Sequence, residues 1–378
     1  MATPSTERPL FIGSEIYRGS SYGPKHPLAI PRVSTAMDLS RAMGWLPDSV
    51  YRDSPQATPE QLTRFHTPDY IAALHRAEAA QRVDSETGER YNLGRLENPI
   101  FPEMYRRPAI GSGAAILGAR LLLERETGIV YSPASGTHHA RPGRASGFCY
   151  FNAPVLGILE LLDAGIERVY YVDLDAHHGD GVEEAFANDG RVLTLSVHED
   201  GRWPFTGKAE DRAGVMVRNL PVPPGFNDTE MAYLMANAIL PLGRAFRPEV
   251  VVVQTGSDAL AEDPLSRLEL SNHALWSAVR ALMDLAPRML VVGGGGYNPW
   301  SVGRCWAGVW ATLNGIDPDV PPTAEAERVL RALTWNRAAG RNPPEHWFTT
   351  IADSPRPGPV RDAVRRVVAL AMEDNGAV

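Results

Sequence analysis

Five short, nearly uninterrupted apolar runs constrain this chain most. They lie at 128–131, 169–172, 192–195, 250–253 and 289–292, and are rich in Val, Ile and Leu. An apolar run without polar alternation is what a strand needs when both faces of its sheet are covered. Longer segments with helical periodicity lie between or beside them, at 110–126, 153–164, 229–246 and 272–285. Strand–helix alternation of this kind predicts a mostly parallel, doubly wound α/β sheet. At 378 residues the length alone allows two or three domains at roughly 150 residues each. No internal repeat or low-complexity linker divides the chain, however, and the turn-rich segments at 221–224 and 317–322 are too short to be boundaries. The expectation is one domain over 1–378, with a core at about 9–315 and a helical extension at about 316–378 packed on it.

Composition removes several classes of function. Apolar residues at 44% and charged residues at 22% describe an ordinary globular chain, not a disordered or fibrous one. A net charge of −8 advertises no basic surface for nucleic acid. Two cysteines, Cys149 and Cys305, exclude a disulfide framework and a multi-cysteine zinc site. No apolar run reaches the ~20 residues of a membrane span, and the first residues lack a secretory pattern. The expectation is a cytoplasmic protein with no nucleic-acid or membrane partner; the oligomeric state is not readable.

Ligands of open α/β sheets bind at the carboxyl ends of the strands, and here those ends carry unusual polar clusters. Gly136-Thr137-His138-His139 and Gly147-Phe148-Cys149-Tyr150 follow the first run, and Asp173-Leu174-Asp175-Ala176-His177-His178-Gly179-Asp180 follows the second. Gln254-Thr255-Gly256-Ser257-Asp258 and Gly293-Gly294-Gly295-Gly296-Tyr297 follow the fourth and fifth. Lone histidines such as His26, His75 and His273 are ordinarily core or surface residues; two His-His pairs beside aspartates are not. Asp175 and His177, two apart, point to the same side of an extended strand end. With Asp258 they make an Asp-His-Asp set, the three-ligand arrangement that leaves a catalytic metal one open position.

These motifs, in this order from His26-Pro27 to about Leu313, resemble the zinc-dependent histone deacetylases and their bacterial relatives. Those relatives include the acetoin-utilisation deacetylases and the acetylpolyamine amidohydrolases. The resemblance implies the arginase/deacetylase fold, a three-layer α/β/α sandwich with a mostly parallel eight-stranded sheet. It implies a metal-dependent amidohydrolase that removes acyl groups from acyl-lysine or a related small amide. Zinc, with ferrous iron as the alternative, would sit on Asp175, His177 and Asp258. His139 would be the main general base and acid, oriented by Asp180; His138 would contact the attacking water, with Asp173 as its partner. Tyr297 would donate to the developing oxyanion, its loop brought close by the preceding glycines. Gly147, Phe148, Trp203, Glu97 and Leu265 would line the substrate tunnel and rim, and Arg32 an internal acetate channel. A structural potassium ion would be held by Asp173, Asp175, His177, Ser196 and Val197. Trp203 stands where the family usually has Phe, and Phe205 where it commonly has Gly, so the entrance departs from the family pattern.

A two-metal ureohydrolase would need further acidic ligands at Gly179 and Leu260. A non-catalytic acyl-lysine reader would have lost Tyr297, His139 or a metal ligand. An acetylpolyamine hydrolase typically carries Glu at the position of Leu265, and no insertion interrupts 92–110, so a lysine-type substrate is favoured over polyamine. The alanine- and arginine-rich composition, without a basic tail, leans bacterial. Trp300, Trp306 and Trp310 read as core packing, Cys149 and Cys305 as inert buried thiols, and Glu325, Glu327 and Arg328 as a solvated face.

Overall fold

The computed structural model describes residues 8–212 and 216–373. Eight strands form one sheet: β1 (Leu10–Gly13), β2 (Tyr51–Asp53), β3 (Ile129–Ser132), β4 (Val169–Asp173), β5 (Val192–Glu199), β6 (Val217–Val222), β7 (Val250–Gln254) and β8 (Met289–Val292). Their order is β2-β1-β3-β8-β7-β4-β5-β6, and every pairing is parallel.

Successive strand side chains point to opposite sides, and a helix packs on each face. Ile12, Val130 and Leu290 face Gly118 of the helix Arg106–Leu123, where a Cβ would stand 2.9 Å from Leu290. Phe11 and Tyr131 point the other way, against Trp310 of the helix Pro299–Leu313. Trp300, Trp306 and Trp310 are buried in that helix as expected, and their indole N–H groups donate to the Leu330, Thr255 and Trp45 carbonyls.

The five strands read from apolar runs are present, within a residue or so except that β5 extends four residues further, to Glu199. Of the other three, β1 is a short, fully buried apolar run, LFIG, that was not among the five, and β2 and β6 carry weak signals. The strand β2 has three residues on the outer edge and is partly exposed. The segment read as a turn at 221–224 overlaps β6, whose sequence VRNLPV mixes Arg, Asn and Pro. Pro221 is tolerated there because, among the described residues, β6 is the opposite edge strand and lacks a strand partner on one side. The segment read as one helix at 229–246 is a continuous helical run, Asp228–Leu234 to Leu240–Phe246, with a π-turn at Met235–Ile239 between.

Beyond 316 the helices Ala324–Arg331 and Asp362–Met372 send Ala326, Leu330, Val364, Val368 and Ala371 into the same apolar cluster as the strands. Among the described residues, no helix is long and apolar enough to cross a membrane.

Candidate active site

The polar clusters converge at the carboxyl ends of β3, β8, β7 and β4, which are neighbours at the centre of the sheet. Asp258 lies in the single turn Ser257–Ala259 after β7. Asp175 and His177 lie in a bend beyond β4, which ends at Asp173. The extended strand end expected from their spacing is therefore not what aligns them. The bend does so: Asp175 Oδ1 accepts from the His177 backbone N–H at 3.0 Å. His177 Nδ1 stands 2.8 Å from Asp258 Oδ2 and 3.3 Å from Asp175 Oδ1, and the three side chains offer ligand atoms within 4.8 Å of one another.

All three are buried. Burial raises the Asp258 carboxyl, and the neighbouring Asp175 carboxylate raises it further. For Asp175 burial acts upward too, but His138 and His177 outweigh it and hold the group well below the usual carboxylate range. Two carboxylates this close, taken out of water, are stable as anions only beside positive charge, which is the charge balance a divalent cation supplies. The glycines leave room for the approach: at Gly256 a Cβ would stand 2.2 Å from Asp175 Oδ2, and at Gly295 it would stand 2.0 Å from Asp258 Oδ2. The Gly295 N–H donates to Asp175 Oδ2 at 2.6 Å. The mixed oxygen and nitrogen set thus fits a zinc- or iron-like ion. No acid stands where a second ion would need one. Gly179 abuts Asp173, where a Cβ would be 2.3 Å from Oδ2, and Leu260 is buried.

His138 Nδ1 and His139 Nδ1 each lie 2.7 Å from a carboxylate, Asp173 Oδ2 and Asp180 Oδ1. Asp173 also accepts from the Tyr171 hydroxyl at 2.7 Å, and Asp180 from Arg141 Nη2 at 2.7 Å. Burial depresses both imidazoles, but at His138 the Asp173 and Asp175 carboxylates win and raise it to about 9. At His139 burial, reinforced by His138, prevails and lowers it to about 4. The second histidine pair divides: His177 turns into the site, whereas His178 turns away to Thr206 and Glu183, each at 2.8 Å.

His139, His177 and Tyr297 lie at the inner end of a cleft of about 660 Å³, whose lining also includes Gly147, Phe148, Trp203, Leu265 and Glu97. Trp203 stands edge-on to His139 at 4.7 Å between ring centroids, and Phe148 edge-on to Tyr297 at 5.8 Å. Glu97 is held by the Gly147 N–H and by Asn92. Behind the site is a smaller cavity of about 50 Å³, whose lining includes Arg32; its guanidinium donates to the Gly294 carbonyl at 2.6 Å. Asp173 and Ser196 are register partners across β4 and β5, with Val197 next along β5. Cys149 and Cys305 are buried and unpaired, and burial raises both thiols, Cys149 to about 12.

Two residues of this site escaped the sequence reading. Asp263 accepts the Tyr297 N–H at 2.6 Å and the Leu265 N–H at 2.9 Å, clamping the tyrosine loop to the rim. The Asp263-Pro264 pair was its one signal, a turn initiator. His66 Nε2 accepts the Asn152 N–H, and its Nδ1 faces the Arg141 carbonyl, both at 3.0 Å, so it braces the loop that carries the histidine pair. As a lone histidine it had no signal in sequence.

An α/β sheet with a buried Asp-His-Asp set and carboxylate-backed histidines at the inner end of a cleft defines a metal-site hydrolase architecture. Residues 26–313 match the histone deacetylase domain family. The acetoin utilization protein AcuC of Bacillus subtilis is 32% identical over 327 residues, covering 83% of this chain and 84% of that protein. Human histone deacetylase 1 is 34% identical over 307 residues, covering 79% of this chain and 63% of that protein. The crystal structure of an HDAC homolog from Aquifex aeolicus superposes with a TM-score of 0.92 at 34% identity, covering 97% of this chain and all of that one. The chain belongs to the histone deacetylase family and is a hydrolase of the deacetylase type, with the arginase/deacetylase fold.

Proposed function

We propose that this chain, acting as a single domain with its carboxyl-terminal helices as a brace, removes acetyl or other acyl groups from acyl-lysine in proteins. A related small acylated amine is the alternative substrate. The observation that carries this is the convergence of Asp175, His177 and Asp258 within 4.8 Å beside His139 and Tyr297 in one cleft.

A divalent ion on those three residues, zinc in our reading and ferrous iron otherwise, would lend Lewis acidity to a water and to the amide carbonyl. The remaining chemistry belongs to the chain. With its Nδ1–H committed to Asp180, the His139 ring presents Nε2 as a proton acceptor. Burial keeps it neutral at physiological pH, so it can take a proton from the attacking water and return it to the leaving amine. His138, backed by Asp173, orients that water from the other side. The Tyr297 hydroxyl, its own ionisation pushed far upward by burial, stays protonated and donates to the carbonyl oxygen as charge develops there. Phe148 and Trp203 grip the aliphatic stem, Glu97 receives the substrate backbone, and Leu265 leaves the rim apolar. Arg32 lines the exit for acetate. The same reading gives Asp173, Asp175, His177, Ser196 and Val197 to a structural potassium ion, and gives the chain a bacterial, cytoplasmic setting with no nucleic-acid or membrane partner.

A panel of acylated lysine peptides and acetylpolyamines, compared by kcat/KM on metal-loaded protein, tests the substrate. Preference for lysine is expected; a clear polyamine preference overturns it.

A further inference from the structure

Among the described residues three large apolar side chains are exposed, and two of them belong to loops at the mouth of the cleft. Phe205 is 72% exposed and lines it; Leu96, at 96%, precedes the lining residue Glu97. A solvated apolar side chain at one position is unremarkable, but Phe205 carries a second cost. Its φ is +65°, a left-handed backbone that side chains other than Gly, Asn and Asp rarely adopt.

The loop is not held loosely in that conformation. The Phe205 N–H donates to the Arg202 carbonyl at 2.8 Å, and Arg202 forks onto Glu199 at 2.5 and 3.1 Å. The next residue, Thr206, is bonded to His178 at 2.8 Å, and His198 Nε2 lies 2.8 Å from the Gly207 carbonyl. A rigid loop thus presents a phenyl ring to solvent a few residues from the tunnel wall Trp203. Such a surface binds at little ordering cost. Charge does not select a partner of one sign there, because Arg267 and Asp200 both line the mouth.

We infer that Phe205, with Leu265 beside the same cleft, forms an apolar shelf that reads the residue next to the acyl-lysine, so that the substrates are peptide segments in which an apolar side chain flanks the modified lysine. This rests on the acyl-lysine reading above and extends it outward from the tunnel.

The test uses metal-loaded full-length protein and acetyl-lysine peptides differing only in the flanking residues, Leu, Phe, Gly or Glu. The readout is the ratio of kcat/KM for the Leu- or Phe-flanked peptide to that for the Gly-flanked one. We expect at least about fivefold in the wild type, below the roughly 10- to 200-fold of one methylene in an enclosed pocket because the shelf is open to solvent on one side. In Phe205→Gly, which removes the ring and relaxes the backbone rather than straining it, the ratio should fall toward one; Phe205→Tyr, which keeps the ring, should retain it. Equal hydrolysis of all peptides by the wild type, or a ratio that survives in Phe205→Gly, overturns the shelf and leaves the deacetylase reading standing. Failure to hydrolyse any acyl-lysine peptide, with metal bound, overturns both.

Discussion

His138 and His139 are consecutive, with ring centroids 3.9 Å apart, yet their surroundings drive them to opposite protonation states. His139 is the ring left neutral, as a group that takes a proton and then returns it must be. Its Asp180 partner and the Tyr297 hydroxyl each give a prediction. Asp180→Asn leaves His139 its hydrogen bond but removes the charge that steadies the protonated ring. It should lower kcat on the order of 10²-fold or more while bound metal is unchanged, as measured by turnover and elemental analysis. Tyr297→Phe should cost on the order of 10²- to 10³-fold in kcat, again with metal retained. Wild-type-like turnover in that variant would remove Tyr297 from the chemistry.

At the scale of elements, the site depends on loops braced by residues that contribute no chemistry. His66 ties the loop after β3 to the segment following the helix Pro59–Leu62. Burial lowers its imidazole to about 3, against an unfolded value near 6.5. Between those values the unfolded chain binds the proton and the folded chain does not, so this contribution to stability is fully present above about pH 6.5 and falls as pH drops toward 3. Urea titrations from pH 6 to 4 should show His66 contributing a slope of up to about 1.4 kcal/mol per pH unit. His66→Gln should flatten the profile by about that amount; an unchanged slope would mean that His66 takes up its proton without unfolding.

The same bracing explains what was legible beforehand. The strands β3, β4, β5, β7 and β8 were readable because both of their faces are buried, which forces apolar runs. The ligand set was readable because each member follows such a strand. By contrast β2, at a solvated edge, and β6, whose Arg218 donates to the Ala371 carbonyl, owe their conformation to neighbours distant in sequence. So do Asp263 and His66: one hydrogen-bonded acid and one buried histidine resemble any others until the fold shows what they hold. The entrance was unreadable for a different reason, since Phe205 departs from the family pattern where the loop conformation, not the motif, decides its direction.

For the molecule as a whole, the carboxyl-terminal segment belongs to the core. The helix Asp362–Met372 buries Val364, Val368 and Ala371, and Arg361 pairs with fully buried Glu230 at 2.6 Å. Truncation after residue 360 removes that apolar burial, worth about 1–3 kcal/mol per large side chain. It also strands the Glu230 carboxylate without its cation. Thermal unfolding should show a loss of at least several degrees in Tm; an unchanged Tm would mean that the segment only rests on the surface.

The most direct measurement of the whole account is acetate release from an acetyl-lysine peptide as zinc or ferrous ion is titrated into chelator-stripped protein. With Asp175, His177 and Asp258 as one mononuclear site, activity should be absent at the start, rise with added ion and break at one equivalent per chain. Full activity in metal-free protein, or a break at two equivalents, would contradict it.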